Sequence, residues 1–249
     1  MTFALMLFAS FFAGFVDAIV GGGGLIQLPA LLVLYPETEP AVLFGTNKLA
    51  SFSGTTLAVL RYIRRVPVHL PSLAPAAAVA YAASLAGASL VTRLPSSFMR
   101  PLALVLLIGV VIYTFWKKDL GLQGRSDGKI PLFIAIGSGS IIGFYDGFFG
   151  PGTGSFLVFS FVTLAGLDFM GASVAAKVVN LATNLAALCI FLPQGKVSWE
   201  LGLAMAACNM SGSYLGTRLA LQHGASLIRG LFLVVVLGFV AKMAWDLSH

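Results

Sequence analysis

GFVDAIVGGGG, residues Gly14–Gly24, joins an apolar run to four consecutive glycines. Each glycine destabilises a helix by about 1 kcal/mol relative to alanine, so the stretch predicts a helix that breaks at Gly21–Gly24. GFYDGFFGPGTG, residues Gly143–Gly154, repeats the pattern and adds Pro151, which removes a backbone donor and clashes with the preceding turn. The two stretches therefore predict two helices that break at corresponding places in the chain.

The composition requires a lipid environment around these helices. Of the 249 residues, 58% are hydrophobic and 10% are charged, whereas soluble domains carry about 25% charged residues. The apolar runs are continuous rather than alternating, which favours helices over a barrel. We therefore predict an all-α polytopic membrane protein with about 8–10 transmembrane or re-entrant segments. The net charge is +6, and the basic residues lie in the breaks between apolar runs, where membrane proteins carry them. The sequence therefore argues against nucleic-acid binding.

An internal repeat organises the whole chain. Shifting the sequence by 129 residues aligns Asp17 with Asp146 and Lys48 with Lys177, without a gap. Residues with side chains this rare in the sequence do not match by chance, so we infer a duplication. The predicted units are a first transmembrane repeat at 1–117, a hydrophilic linker at 118–129 and a second transmembrane repeat at 130–249.

The basic loop residues predict that the two repeats have opposite orientations. The first half contains five apolar runs. Arginines stand after the third run, at Arg61–Arg65, and basic residues stand after the fifth run, at Lys117–Lys129. In the second half the basic residues shift to the neighbouring loop, near Arg218. Under the positive-inside rule this pattern indicates inverted repeats, with Arg93 and Arg100 as exceptions.

Two lysines lie inside apolar helices at equivalent positions of the repeats. A lysine at the centre of a membrane helix costs about 3 kcal/mol on insertion scales, so it normally faces a polar interior. Each begins a polar stripe spaced i, i+3, i+7, which places three polar groups on one helix face. The stripes are Lys48, Ser51 and Thr55 in the first half and Lys177, Asn180 and Asn184 in the second. The alternative is that both lysines snorkel to the headgroups.

Asp17 and Asp146 each precede a glycine break by four residues. Such a carboxylate has three possible roles: proton uptake during transport, pairing with Lys48 or Lys177, or capping the free N–H groups of the broken helix. The sequence leaves these roles open. The broken helices direct N–H groups and positive dipole ends toward a ligand, which suits an anion, although small residues also serve close helix packing.

The candidate site combines both breaks with both lysine helices. The predicted substrate-binding residues are Gly21, Gly22, Gly23, Gly24, Thr46, Asn47, Lys48, Ser51, Thr55, Gly150, Gly152, Thr153, Gly154, Lys177, Asn180 and Asn184.

Four stretches of the chain together resemble the sulfite exporter TauE/SafE family, also called the toluene sulfonate uptake permeases. They are Gly14–Pro29, the Gly45-Thr46-Asn47-Lys48 motif, and the second-half stretches Gly143–Gly154 and Gly212–Arg218. The resemblance covers essentially the whole chain. It implies a multi-pass bacterial plasma-membrane protein that handles sulfite, sulfonates or related organic anions. The second repeat departs from the first, because Ala175 and Ala176 stand where the first has Thr46 and Asn47.

These observations predict a secondary transporter of small anions of the sulfite or sulfonate class in the bacterial inner membrane. Asp17 and Asp146 would carry coupling to protons if proton uptake is the one of their open roles that applies. No phosphate-binding GxxxxGK[ST] motif is present, so a gradient must supply the energy. We expect no enzyme activity, cofactor or metal; the partners are the anion and the lipid bilayer, and the oligomeric state is open. The alternatives are a membrane-embedded enzyme using a serine of Gly137–Ser140, and a non-transporting membrane subunit.

Overall fold

The computed structural model describes residues 1–116 and 129–223. All secondary structure in these ranges is helical, which confirms the predicted all-α class. The helices are α1 (Thr2–Val20), α2 (Gly24–Leu34), α3 (Pro40–Ile63), α4 (Leu70–Val91), α5 (Ser96–Trp116), α6 (Leu132–Phe148), α7 (Thr153–Thr163), α8 (Phe169–Phe191) and α9 (Trp199–His223). Residues 118–128 of the linker predicted at 118–129, and the fifth element of the second half, at 227–245, lie outside the described residues.

The two glycine breaks end α1 and α6 as the sequence predicts. α1 ends at Val20 because Gly21 adopts a φ of 78°, a left-handed conformation that favours glycine. In the second half Gly150 and Gly152 have φ values of 96° and 83°, and α7 begins directly after them. Both breaks are therefore sharp turns between a long helix and one of 11 residues.

The helix boundaries follow the 129-residue shift. α7 begins and ends 129 residues after α2, and α8 and α9 begin 129 residues after α3 and α4. The boundaries agree with a duplication, while the opposite orientation of the two repeats stays a prediction.

The described helices of the two halves interleave. α4 packs against α6 and α8, and α9 packs against α1 and α3. Glycines allow this close approach, because a Cβ on Gly143 would lie 2.6 Å from Ala80 Cα and one on Gly14 would lie 2.9 Å from Asn209 Cα. The described helices of each half thus pack extensively against those of the other.

α3 and α8 are the innermost helices and contact each other. Their neighbours expose large apolar side chains on the outer surface, including Phe133 and Ile141 at 74% exposure each. Within the described ranges, three helices are long and apolar enough to cross a membrane: Thr2–Val20, Leu70–Val91 and Phe169–Phe191. An apolar exterior around a polar centre is the arrangement expected in lipid.

Arg100 at the start of α5 binds the end of α2. Its guanidinium donates to the carbonyl oxygens of Leu32 at 3.3 Å and Thr38 at 2.9 Å, and also to those of Tyr35 and Pro36. These carbonyls lie in the last turn of α2 or just beyond it and lack helical partners.

We expect Arg100→Met to lower the free energy of unfolding by about 1.5–3 kcal/mol, because hydrogen bonds from a charged donor are lost. Thermal unfolding in detergent measures the effect. Arg65→Met, at an exposed position, is the matched control and should leave the midpoint unchanged. Equal midpoints for Arg100→Met and wild type would contradict this role.

Candidate functional site

A polar cavity lies where both helix breaks meet α3 and α8. Its lining includes the starts of α2 and α7, so two helix N-termini direct their N–H groups and positive dipole ends toward it. The lining residues are Asp17, Gly21, Gly23, Gly24, Asn47, Lys48, Ser51, Thr55, Asp146, Gly150, Gly152, Thr153, Gly154, Asn180, Asn184 and Asn209. The cavity thus combines donors, acceptors and charges from both halves of the chain.

Lys48 pairs with the aspartate of the opposite half. Its Nζ lies 2.7 Å from Asp146 Oδ2, and the two side chains are only 4% and 2% exposed. The ammonium also lies against the second break, because a Cβ on Gly150 would be 3.0 Å from Lys48 Nζ. Burial this complete makes each charge dependent on the other, since an unpaired ion would carry the whole desolvation cost.

Lys177 makes the reciprocal contact with Asp17. Its Nζ donates to the backbone carbonyl of Asp17 and lies 3.5 Å from Asp17 Oδ2. Asp17 Oδ1 also accepts a hydrogen bond from the Gly23 N–H at 3.3 Å, so the same carboxylate caps the first break. Of the roles that the sequence left open for Asp17, pairing and capping are both observed.

The ion pairs are related by the 129-residue shift, which exchanges Lys48 with Lys177 and Asp146 with Asp17. The pairs differ in burial, because the Asp17 side chain is 20% exposed and that of Asp146 only 2%. Among the described residues, these two pairs contribute two positive and two negative groups to the site, and their formal charges balance.

The two breaks contact each other through backbone. A Cβ on Gly154 would lie 2.7 Å from Gly21 Cα, and Ser155 Oγ donates to the carbonyls of Val20 and Gly21 at 3.2 and 3.3 Å. Tyr145 Oη donates to the Pro151 carbonyl at 2.6 Å. These bonds satisfy carbonyls that the broken helices leave free and hold the two turns together.

The structure brings most of the predicted site residues to this cavity. Gly22, Thr46 and Lys177 are the predicted residues that do not line it. Lys177 reaches the site through Asp17, whereas Thr46 Oγ1 donates to the Val42 carbonyl and accepts from the Ser198 N–H at 2.9 Å. Thr46 and Lys48 are two positions apart, about 200° around the helix, so they face opposite directions.

Comparison with known proteins places the chain in a family. Residues 6–243 match the family model described as "Sulfite exporter TauE/SafE". The chain belongs to the sulfite exporter TauE/SafE family. A Sinorhizobium protein named as a probable membrane transporter is 36% identical over 99% of this chain and 94% of its own length. The probable membrane transporter protein YfcA of Escherichia coli is 36% identical over 98% of this chain and 90% of its own. No solved structure matches significantly.

This TauE/SafE protein is therefore a membrane transporter and not an enzyme. Neither of the two serines considered for an enzymatic role, in Gly137–Ser140, lines the cavity, and Ser138 is hydrogen-bonded to Ser160 Oγ between α6 and α7. Its partner is another hydroxyl rather than a base, so this contact joins helices.

Asn209 is the lining residue of the TauE/SafE protein that sequence reasoning missed. It comes from α9 and donates from Nδ2 to Gln27 Oε1 at 2.7 Å. Alanine, at Ala80, occupies the equivalent position of the first half. A search for polar residues present in only one repeat would have found it.

The cavity of the TauE/SafE protein has a volume of about 20 Å³. This is about the space of one water molecule, so an anion of several heavy atoms requires the surrounding helices to move apart.

Proposed function

We propose that this chain transports a small anion of the sulfite or sulfonate class across the bacterial inner membrane, as a multi-pass protein coupled to protons. The observation that carries the proposal is the reciprocal pairing of Lys48 with Asp146 and of Lys177 with Asp17 around one cavity. Lysines and two helix N-termini supply the donors that an oxyanion needs.

The ion pairs provide a reason for coupling. An anion that enters must compete with a carboxylate for its lysine, since Lys48 is already bonded to Asp146. Protonation of Asp146 removes that competition and leaves an ammonium that only the anion can neutralise. One monoanion and one proton together keep the buried charge balanced, so the two bind and move as a unit.

The substrate class rests on the family and on the donor set. The family is described as a sulfite exporter family, whereas the relatives reported above are named only as probable membrane transporters. An oxyanion with three oxygens can use N–H groups from both breaks together with a lysine. Sulfite and small sulfonates meet that requirement.

Flux into proteoliposomes tests the proposal. With purified protein, sulfite uptake should increase severalfold when the outside is made acidic, and a protonophore should remove that increase. Empty liposomes report the leak. Absence of protein-dependent movement of sulfite and small sulfonates under every imposed gradient would refute anion transport.

Asp146→Asn should separate anion binding from proton coupling. The amide resembles the protonated carboxyl, so we expect sulfite exchange to persist while a pH gradient no longer drives accumulation. The measurement compares exchange between equal sulfite concentrations with net uptake under the gradient. Accumulation equal to wild type in the Asn variant would show that Asp146 is not the coupling group.

A further inference from the structure

Two carboxamides at the cavity each have one polar atom without a partner, although both side chains are almost completely buried. Asn47 on α3 is 4% exposed and Asn184 on α8 is 2% exposed. Among the residues that the structure describes, Asn47 Oδ1 and Asn184 Nδ2 have no hydrogen-bond partner. Both residues line the cavity. Buried polar groups are rarely left unpaired, so these atoms indicate ligand contacts.

The other two lining asparagines already have partners within the protein. Asn180 Oδ1 accepts from Thr183 at 3.4 Å, and Asn209 Nδ2 donates to Gln27 at 2.7 Å. Among the lining asparagines, the two with unpaired atoms therefore lie on the two lysine helices, one on each. Asn47 lies beside Lys48 in the sequence, and Asn184 lies two turns beyond Lys177.

The unpaired atoms call for a ligand with two kinds of hydrogen-bonding group. Asn184 Nδ2 is a donor and suits an oxyanion oxygen, whereas Asn47 Oδ1 is an acceptor and requires an O–H or N–H. A fully deprotonated oxyanion only accepts, so it would leave Asn47 unsatisfied. The ligand that satisfies both has negative oxygens and one protonated oxygen.

Charge balance independently favours a monoanion. The site is neutral with Lys48, Lys177, Asp17 and Asp146 ionised. A monoanion that arrives with one proton on Asp146 preserves that neutrality, whereas a dianion needs two protons or leaves an unbalanced buried charge.

We propose that the transported species is a singly protonated oxyacid monoanion, whose O–H donates to Asn47 Oδ1 while an ionised oxygen accepts from Asn184 Nδ2. This inference rests on the proposed anion transport and narrows its substrate class to oxyanions that carry an O–H, so that sulfonates become the weaker ligands. The equivalent positions in the other repeat hold Ala176 and Thr55, so the ligand is bound in one orientation.

Two probes of the same shape separate charge from hydrogen-bond donation. Methylphosphonate with one proton and methanesulfonate are both tetrahedral monoanions, and only methylphosphonate carries an O–H. Calorimetry on the purified protein, at a mildly acidic pH where methylphosphonate is a monoanion, should show about tenfold tighter binding of methylphosphonate. Raising the pH until methylphosphonate becomes a dianion should abolish that preference.

The asparagine variants assign the contacts. Asn47→Ala should make the two probes bind equally, whereas Asn184→Ala should weaken both by a similar factor. Ser173→Ala is the matched control, because Ser173 Oγ is also buried and unpaired among the described residues but lies outside the cavity lining. It should retain the tenfold preference.

The outcomes distinguish this inference from the proposed function. Equal binding of both probes to the wild type, or tighter methanesulfonate binding, overturns the protonated-ligand inference and leaves anion transport intact. A preference that persists in Asn47→Ala overturns the assignment of the O–H contact. Failure of both probes and of sulfite to bind at any pH overturns the proposed function and this inference with it.

Discussion

Lys48→Met is expected to abolish sulfite uptake, to below one hundredth of the wild-type rate, and to destabilise the protein by about 3–5 kcal/mol. The destabilisation follows because Asp146, whose side chain is 2% exposed, would keep its charge without a partner. The loss of flux follows because the variant removes the ammonium that we propose binds the anion. Proteoliposome uptake and thermal unfolding measure the two effects separately.

A double variant separates binding from folding. Lys48→Met combined with Asp146→Leu replaces the buried pair with apolar groups of similar volume and should recover most of the stability. It should not recover uptake.

Lys196→Met is the control, because Lys196 pairs with Glu39 at 2.6 Å at a position where the side chains are 28% and 43% exposed. An exposed pair contributes about 1 kcal/mol or less, so this variant should resemble wild type.

Wild-type uptake in the folded double variant would contradict the assignment of Lys48 to the anion site. Unchanged stability in Lys48→Met would show that Asp146 finds another partner or takes up a proton.

Gly154→Ala is expected to prevent accumulation of folded protein. The new Cβ would lie 2.7 Å from Gly21 Cα, and a rigid backbone contact cannot yield as a flexible side chain can. The clash separates the two breaks, so Ser155 also loses its bonds to Val20 and Gly21. We expect a loss of about 3 kcal/mol or more, because overpacking typically costs about 1–3 kcal/mol and a contact between two backbones has the least room to relax. The yield of monodisperse protein on size exclusion and the unfolding midpoint measure it.

Gly137→Ala on α6 is the matched control for this substitution. A Cβ at Gly137 meets no atom of the described residues within 4 Å, so no clash is expected. Alanine is also the better helix former by about 1 kcal/mol, so the variant should match or exceed wild-type stability. Equal stability of Gly154→Ala and Gly137→Ala would show that the contact between the breaks is unimportant.

The helix class and the break positions could be predicted from the sequence because both depend on local chemistry. Continuous apolar runs dictate helices in lipid, and the glycines at Gly21 and Gly150 adopt positive φ values that other residues rarely do. The stripes that begin at Lys48 and Lys177 were likewise predictable, since helical geometry alone places i, i+3 and i+7 on one face. The same geometry already argued against Thr46, which lies on the opposite face of α3 from Lys48.

The partners of the buried charges were decided by tertiary structure. Asp17 and Lys177 are 160 residues apart and Lys48 and Asp146 are 98 apart, so no local pattern states which lysine meets which carboxylate. Each lysine pairs with the aspartate of the other half because α4 and α9 each pack against the opposite half, which brings each lysine helix to the other half's break. Asn209 reaches the cavity for the same reason. The sequence by itself determined the helices, the breaks and the inventory of polar groups, whereas long-range packing determined how those groups pair.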